Sequence, residues 1–176
     1  MQKRGLPIGY AVTAGNQAQL GLAELAMNIV KDKRVTALGL YVEGLGSIRN
    51  FERLVSLCDR LGKAIVIIKI GKSEHAKVSA VSHTASLAGS DKGAAALMKR
   101  LGVARVDSLS EFIETLKIFH CHGRLSGPSV ASVSCSGGEA SLIADISNAK
   151  PISFPKLTKT QKEDLKIALG AKVALA

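Results

Sequence analysis

"AIVIIKIG", residues 64–71, is the stretch that decides the fold of this chain. Its side chains are apolar at almost every position, so neither face of such a strand suits water. Strands that are apolar on both faces belong to parallel sheets covered by helices on each side. A second run of this kind, "VTALGLYVEGL" at residues 35–45, indicates a neighbouring strand. The sequence therefore predicts an α/β fold with a buried parallel sheet.

Segments with helical spacing alternate with these strands. Apolar residues recur every three or four positions, as on one face of an amphipathic helix. Asn16 stands where an N-terminal cap would stand, and Gly62 is suited to end a helix. The helical segments are residues 16–33, 48–62, 91–102 and 108–120, and a third, short strand is predicted at 103–107.

The composition is that of a globular protein with a basic surface. Hydrophobic residues make up 47% of the 176 residues, enough for a substantial core, whereas aromatic residues make up only 3%. Lys and Arg number 24 against 14 Asp and Glu, for a formal net charge of +10. This surplus favours an anionic partner. Few aromatic residues lie among the basic ones, which argues against nucleic acid as that partner. A phosphate-bearing small molecule or an acidic protein also fits the positive charge.

No segment of the sequence indicates export or membrane insertion. The N-terminus lacks the apolar stretch of a signal peptide, and the longest apolar run, residues 64–70, is far too short to span a bilayer. The three cysteines form no CxxC pair, and their odd number argues against a disulfide framework. We therefore expect a soluble cytoplasmic protein with no membrane partner.

The "FHCHG" segment does not predict a metal site. His120, Cys121 and His122 are consecutive, so their side chains splay apart on a helix or a strand, and no second group of ligands accompanies them. We predict no metal-binding residue.

A histidine lies in a run of small residues, "AVSHTASLAGSDKG", at residues 80–93. Around His83 there is too little apolar volume to anchor the chain in a core, so we expect an exposed loop that can move. Glu43 follows the first predicted strand, and this loop follows the second. Because parallel strands end at the same edge of a sheet, we expect Glu43 and His83 to lie at the same edge. Ligands of open parallel sheets bind at this edge.

The pattern restarts after the linker "HGRLSGP". "SVASVSCSGGEASLIADISNAK", at residues 129–150, predicts a strand, a Gly-Gly turn and a helix, a shape that binds phosphate through free backbone N–H groups. Thr158 or Thr160 is expected to cap a last helix that ends at Gly170. We therefore predict two domains, residues 1–122 and a truncated second unit at 123–176. We expect the first strand of the first domain to be missing from this sequence, and we expect the chain to be part of a longer polypeptide.

Four segments together resemble the succinyl-CoA-ligase-like, flavodoxin-like region of NDP-forming acyl-CoA synthetases of the ADP-forming acetate–CoA ligase type. The resemblance extends from about residue 8 to 170, and "SHTASLAGSD" at residues 82–91 is its strongest part. It implies a flavodoxin-like, three-layer αβα fold and the start of a second, similar unit. The four segments are residues 13–45, 65–91, 102–116 and 133–145.

The resemblance implies a phosphohistidine enzyme. In that family an acid, CoA and a nucleoside triphosphate give acyl-CoA, nucleoside diphosphate and phosphate. The family's phosphoryl-accepting histidine falls on His83, and the glutamate that orients and stabilises it falls on Glu43. The glycine-headed helix start that binds the phosphoryl group corresponds to Ser136, Gly137 and Gly138.

The same resemblance implies partners and substrates. CoA and ATP, or another nucleoside triphosphate with Mg²⁺, are expected as substrates of the complete enzyme, together with a small carboxylic acid and with no tightly bound cofactor. CoA-binding and ATP-grasp domains or subunits are expected as partners in a homo- or hetero-oligomer.

Two alternatives remain open from the sequence. The first is a non-catalytic acyl-CoA-sensing domain fused to a protein acetyltransferase, which would have no need of a phosphoryl acceptor at His83. The second is a basic nucleic-acid-binding α/β module, whose retention on DNA would depend on salt and not on His83.

Overall fold

The computed structural model describes residues 2–15, 17, 19–73, 90–148 and 150–170. In these ranges three strands form one parallel sheet in the order β1-β2-β3, in which Leu38 lies opposite Ile65 and Val42 opposite Lys69. The strands are β1 (Ala37–Val42), β2 (Ala64–Lys69) and β3 (Ala104–Arg105); the α-helices are α1 (Leu22–Ile29), α2 (Ile48–Arg60), α3 (Asp91–Arg100), α4 (Leu109–His122), α5 (Gly137–Ser147) and α6 (Lys159–Leu169).

Helices cover both faces of the sheet. On one face, α1, α2 and α3 pack on β1 and β2 in a core that includes Phe51, Leu54 and Met98. On the other face, Phe112 and Leu116 of α4 pack on the central strand. This three-layer αβα arrangement confirms the predicted fold class.

The helices begin and end as local chemistry dictates, with one exception. Ser108 and Glu111 form a reciprocal capping box at the start of α4, which satisfies two backbone N–H groups. The cap predicted at Asn16 is wrong, because α1 begins only at Leu22 and its N-cap is Gly21. Asn16 itself lies outside the described residues.

Two helices end in the same turn. Arg-Leu-Gly closes both α2 and α3, and Gly62 and Gly102 adopt φ of +67° and +64°, a region that favours glycine. The next residue in each case donates its N–H back to the helix, Lys63 to the Cys58 carbonyl at 2.8 Å and Val103 to the Met98 carbonyl at 2.9 Å. A single residue separates each turn glycine from the next strand, since β2 begins at Ala64 and β3 at Ala104.

The chain divides into two compact units, one up to Leu125 and the other from Ser126 onward. In the second unit, the strand predicted before Gly137 is largely absent from the described residues. A single parallel bridge joins Ser129 to Ser153, with the Val130 N–H donating to the Ser153 carbonyl at 2.9 Å. Whether residues 123–176 begin a second flavodoxin-like domain stays a prediction.

The last helix, α6, is capped by Thr158, which forms a capping box with Gln161. Of the two threonines that the sequence offers, the structure therefore selects the first. Within the described ranges, no helix combines the length and apolar character that crossing a bilayer requires.

A glycine in β1 lets α4 approach the sheet closely. A Cβ added at Gly39 would lie 2.6 Å from Phe112 Cζ and 2.9 Å from Leu116 Cδ1, both of which are buried. We therefore expect Gly39→Ala to lower the free energy of unfolding by about 1–3 kcal/mol through overpacking. Chemical denaturation with a fixed m-value measures the change.

Gly9→Ala is the matched control, since a Cβ there meets none of the described atoms within 4 Å. Both substitutions restrict the unfolded chain equally, so their difference isolates the clash. Phe112→Leu should restore part of the stability of Gly39→Ala. Equal stability of the two glycine variants would contradict the packing account.

Candidate functional site

The carboxyl edge of the sheet collects the chain segments that leave the strands. The strands end at Val42, Lys69 and Arg105, and because they are parallel they end at the same edge. The helices that follow them, α2, α3 and α4, begin at this edge with serine caps at Ser47, Ser90 and Ser108. Helix N-termini carry a partial positive charge, so the edge favours anions.

Glu43 lies at this edge, where the strand pattern places it. It is partly buried and follows Val42, the last residue of β1. Glycines at 44 and 46 then lead the chain into α2, where Ser47 Oγ accepts the Asn50 N–H at 3.3 Å. Glu43 thus lies on a short connection between a buried strand and a capped helix.

Lys69 is a residue that the sequence analysis missed. It is the last residue of the central strand, and its Nζ donates to the Ile70 carbonyl at 3.2 Å. Lys69 lines a cavity that Glu43 and Ser90 also line. The signal in the sequence is a lysine within an otherwise apolar run.

Two ion pairs join neighbouring segments at the same edge. Arg105 in β3 donates Nη2 to both carboxylate oxygens of Asp91, at 2.8 and 3.0 Å, which ties the start of α3 to the sheet. Lys72 pairs with Asp107 and so joins the chain after β2 to the chain after β3. The hydrogen bond from Lys72 lowers the pKa of the Asp107 carboxyl below its usual value.

His83, the predicted phosphoryl acceptor, lies outside the described residues. Glu43 belongs to the first compact unit, and Ser136, Gly137 and Gly138 belong to the second. The roles predicted for all five residues therefore remain predictions.

The helix start at Ser136 differs from its prediction in one respect. Gly137 and Gly138 are the first two residues of α5 and not a separate turn. Ser136 is the N-cap, and its Oγ accepts the Glu139 N–H at 3.2 Å. A Cβ added at Gly137 would meet none of the described atoms within 4 Å, so this helix end is open to an approaching group.

A metal-ligand cluster is not found in the described part of the chain: no three His, Cys, Asp or Glu residues there are grouped to hold an ion. His120 instead forms a hydrogen bond between Nδ1 and Thr36 Oγ1, with the two atoms 2.7 Å apart.

Comparison with known proteins assigns the fold to a family. The model of the succinyl-CoA ligase-like flavodoxin domain matches residues 1–119, and the chain belongs to this family. A similar solved structure, that of the dinucleotide-forming acetyl-coenzyme A synthetase 1 of Ca. Korarchaeum cryptofilum in complex with phosphate and ADP, is 25% identical with a TM-score of 0.78. The match covers 94% of this chain and 36% of that one.

Two curated relatives are CoA ligases. The ADP-forming 4-hydroxybutyrate–CoA ligase of Nitrosopumilus maritimus is 26% identical over 91% of this chain, which spans 23% of that protein. The α subunit of the ADP-forming acetate–CoA ligase II of Pyrococcus furiosus is 29% identical over 96% of this chain, which spans 37% of that subunit. The chain is thus similar to about a quarter to a third of the length of these relatives.

The Lys72–Asp107 pair predicts a measurable titration. The folded-state pKa of Asp107 lies below its ordinary value of 3.8. The pair therefore stabilises the fold at pH values above 3.8, and this stabilisation is lost as the pH falls through the folded-state pKa. We expect the Asp107 carboxyl carbon, followed by NMR, to titrate below 3.8. Lys72→Met should return it towards that value.

The effect should shrink in high salt, because both side chains are exposed. Lys92→Met, which removes an exposed lysine from the first turn of α3, serves as the control and should leave the Asp107 titration unchanged. An identical Asp107 titration in the wild type and Lys72→Met would contradict the assigned cause.

Proposed function

We propose that this chain is part of an NDP-forming acyl-CoA synthetase, which converts an acid, CoA and a nucleoside triphosphate into acyl-CoA, nucleoside diphosphate and phosphate. The observation that carries the proposal is the similarity to ADP-forming CoA ligases along 91% and 96% of the chain. The position of Glu43 at the carboxyl edge of the parallel sheet supports the mechanism, since ligands of such sheets bind there.

The reaction divides into three group transfers. A ring nitrogen of His83 attacks the terminal phosphorus of the nucleotide, and an N–P bond forms as the P–O bond to the nucleoside diphosphate breaks. A carboxylate oxygen of the acid then attacks the same phosphorus, which frees the imidazole and gives an acyl phosphate. Finally the CoA sulfur, having lost its proton, attacks the acyl carbon and displaces inorganic phosphate.

Glu43 would prepare the imidazole for the first step. A carboxylate that accepts the N–H of one ring nitrogen leaves the lone pair of the other nitrogen available for attack. The same carboxylate would stabilise the positive ring once it carries the phosphoryl group. A carboxylate on a short, capped connection is suited to this because it loses little freedom when it binds.

The start of α5, in the second unit, is itself a proposed phosphate-binding element. Backbone N–H groups at a helix N-terminus bind phosphate oxygens, and glycines allow close approach. The absence of a side chain at Gly137 and Gly138 supports this role.

The remaining components would come from other domains or subunits. A CoA-binding domain and an ATP-grasp domain are proposed as partners, and one relative is itself named as a subunit of a larger ligase. Magnesium would enter with the nucleotide, because nucleotide phosphates supply most of its ligands.

The His83 proposal is tested by phosphoryl labelling of the complete polypeptide or assembly. With γ-labelled ATP and Mg²⁺, the protein should take up label in an acid-labile form. We expect His83→Asn to abolish the uptake, because the side-chain amide cannot form a stable N–P bond. His122→Asn, at an exposed histidine at the end of α4, is the matched control and should label normally. Full labelling of His83→Asn would exclude the proposed mechanism.

Glu43→Gln tests the orienting carboxylate. An amide of the same size keeps the packing but loses the negative charge, so the initial rate of labelling should fall about 100-fold or more. Glu52→Gln, in α2 with a surface ion pair to Arg100, should change the rate less than about twofold. A Glu43→Gln rate equal to that of Glu52→Gln would remove Glu43 from the mechanism.

A further inference from the structure

The burial of Lys69 needs an explanation. Only 2% of this residue is exposed, and it is the one polar or charged residue among the buried residues in the described ranges. An ammonium group is strongly hydrated, so removing it from water is costly unless partners within the protein compensate for the lost hydration. A methionine of similar length would fill the same space without that cost.

Strand geometry shows which face of the sheet Lys69 occupies. Side chains alternate along β2, and Ile65 and Ile67 lie in the core beneath α1, α2 and α3. Lys69 therefore continues the row of Ile65 and Ile67, opposite Val42 of β1. It ends this row at the carboxyl edge.

Lys69 shares the lining of a cavity with a carboxylate and with the start of α3. The same cavity is lined by Glu43, by Ser90, the N-cap of α3, and by Gly93 in the first turn of that helix. The nearby carboxylate of Asp91 is bound by Arg105 through two hydrogen bonds. Among the described residues, Glu43 and Lys69 are two ionisable groups that line this cavity at the ends of neighbouring strands.

The proposed reaction brings a second negative group to this edge. A phosphoryl group there would be repelled by the Glu43 carboxylate, and the repulsion is strong where water is excluded. A buried cation between the strand ends reduces it. Among the described residues, Lys69 is the cation that is both buried and lines this cavity.

We propose that Lys69 holds the phosphate or phosphoryl anion at the carboxyl edge of the sheet. The identity of the anion rests on the proposed function, but its binding does not require His83 to be phosphorylated. Phosphate binding and His83 labelling can therefore fail separately.

Thermal unfolding of the complete polypeptide or assembly in inorganic phosphate, at constant ionic strength, tests this inference. The phosphate concentration for half of the maximal stabilisation should rise at least about tenfold in Lys69→Met. The same rise is expected when His83→Asn is the starting protein. Lys92→Met, which removes an exposed lysine close to the same edge, should stay within about twofold.

A second measurement follows phosphate through the reversed reaction. A phosphate oxygen attacks the thioester of acyl-CoA, the C–S bond breaks and CoA leaves; the imidazole then takes the phosphoryl group as the P–O bond to the acid breaks. With labelled phosphate, Lys69→Met should need about tenfold more phosphate for half-maximal labelling, and Lys69→Arg should recover most of the loss because it keeps the charge. A purely structural lysine would not change this concentration.

The ammonium resonance of Lys69 gives a readout in the unsubstituted protein, should Lys69→Met fail to fold. Lys69→Arg removes that resonance and so assigns it, and inorganic phosphate should shift it. An unshifted resonance, or an unchanged half-saturating phosphate concentration in folded Lys69→Met, overturns the inference. Labelling that survives in His83→Asn overturns the proposed phosphohistidine mechanism instead. Phosphate binding by Lys69 is then judged from the phosphate measurements alone.

Discussion

The complete burial of β2 is the constraint on which the rest of the first unit depends. All six residues of this strand are buried, so the chain must supply apolar cover on both faces. It does so with α1, α2 and α3 on one side and α4 on the other. The connections must then run from one edge of the sheet to the other, which is why every strand of this sheet points the same way.

Parallel strands give the two edges different chemistry. The carboxyl edge gathers strand ends, helix N-termini and the polar residues between them, whereas the opposite edge gathers helix C-termini. Glu43 and Lys69 lie at the carboxyl edge simply because each is at or just beyond the end of a strand. The opposite edge has a structural lysine: Lys63 Nζ donates to the Val30 and Asp32 carbonyls, at 2.5 and 2.7 Å, and so closes α1. The same residue type thus has a different role at each edge.

Periodicity in the sequence predicted what depends on local pattern. The strands around residues 37–42 and 64–69 and the placement of Glu43 followed from hydrophobicity and the parallel-sheet rule. The strand predicted before Gly137 does not form in the described residues. A strand needs hydrogen-bonded partners, and only one bridge forms there. The Arg105–Asp91 pair joins residues 14 positions apart, and no local pattern indicates which charges will meet. Lys69 was visible in the sequence, but its burial was not.

The repeated Arg-Leu-Gly turns after α2 and α3 set where β2 and β3 begin. Because a strand's side chains alternate between faces, one residue inserted in either turn would move the following strand by about 3.3 Å and exchange its two faces. The isoleucines of β2 would then face the wrong helices, and the lysine at its end would leave the cavity. Insertions and deletions among related chains should therefore avoid these two turns and occur in other connections. The constant spacing of the two turns can then guide the alignment of distant members of the family.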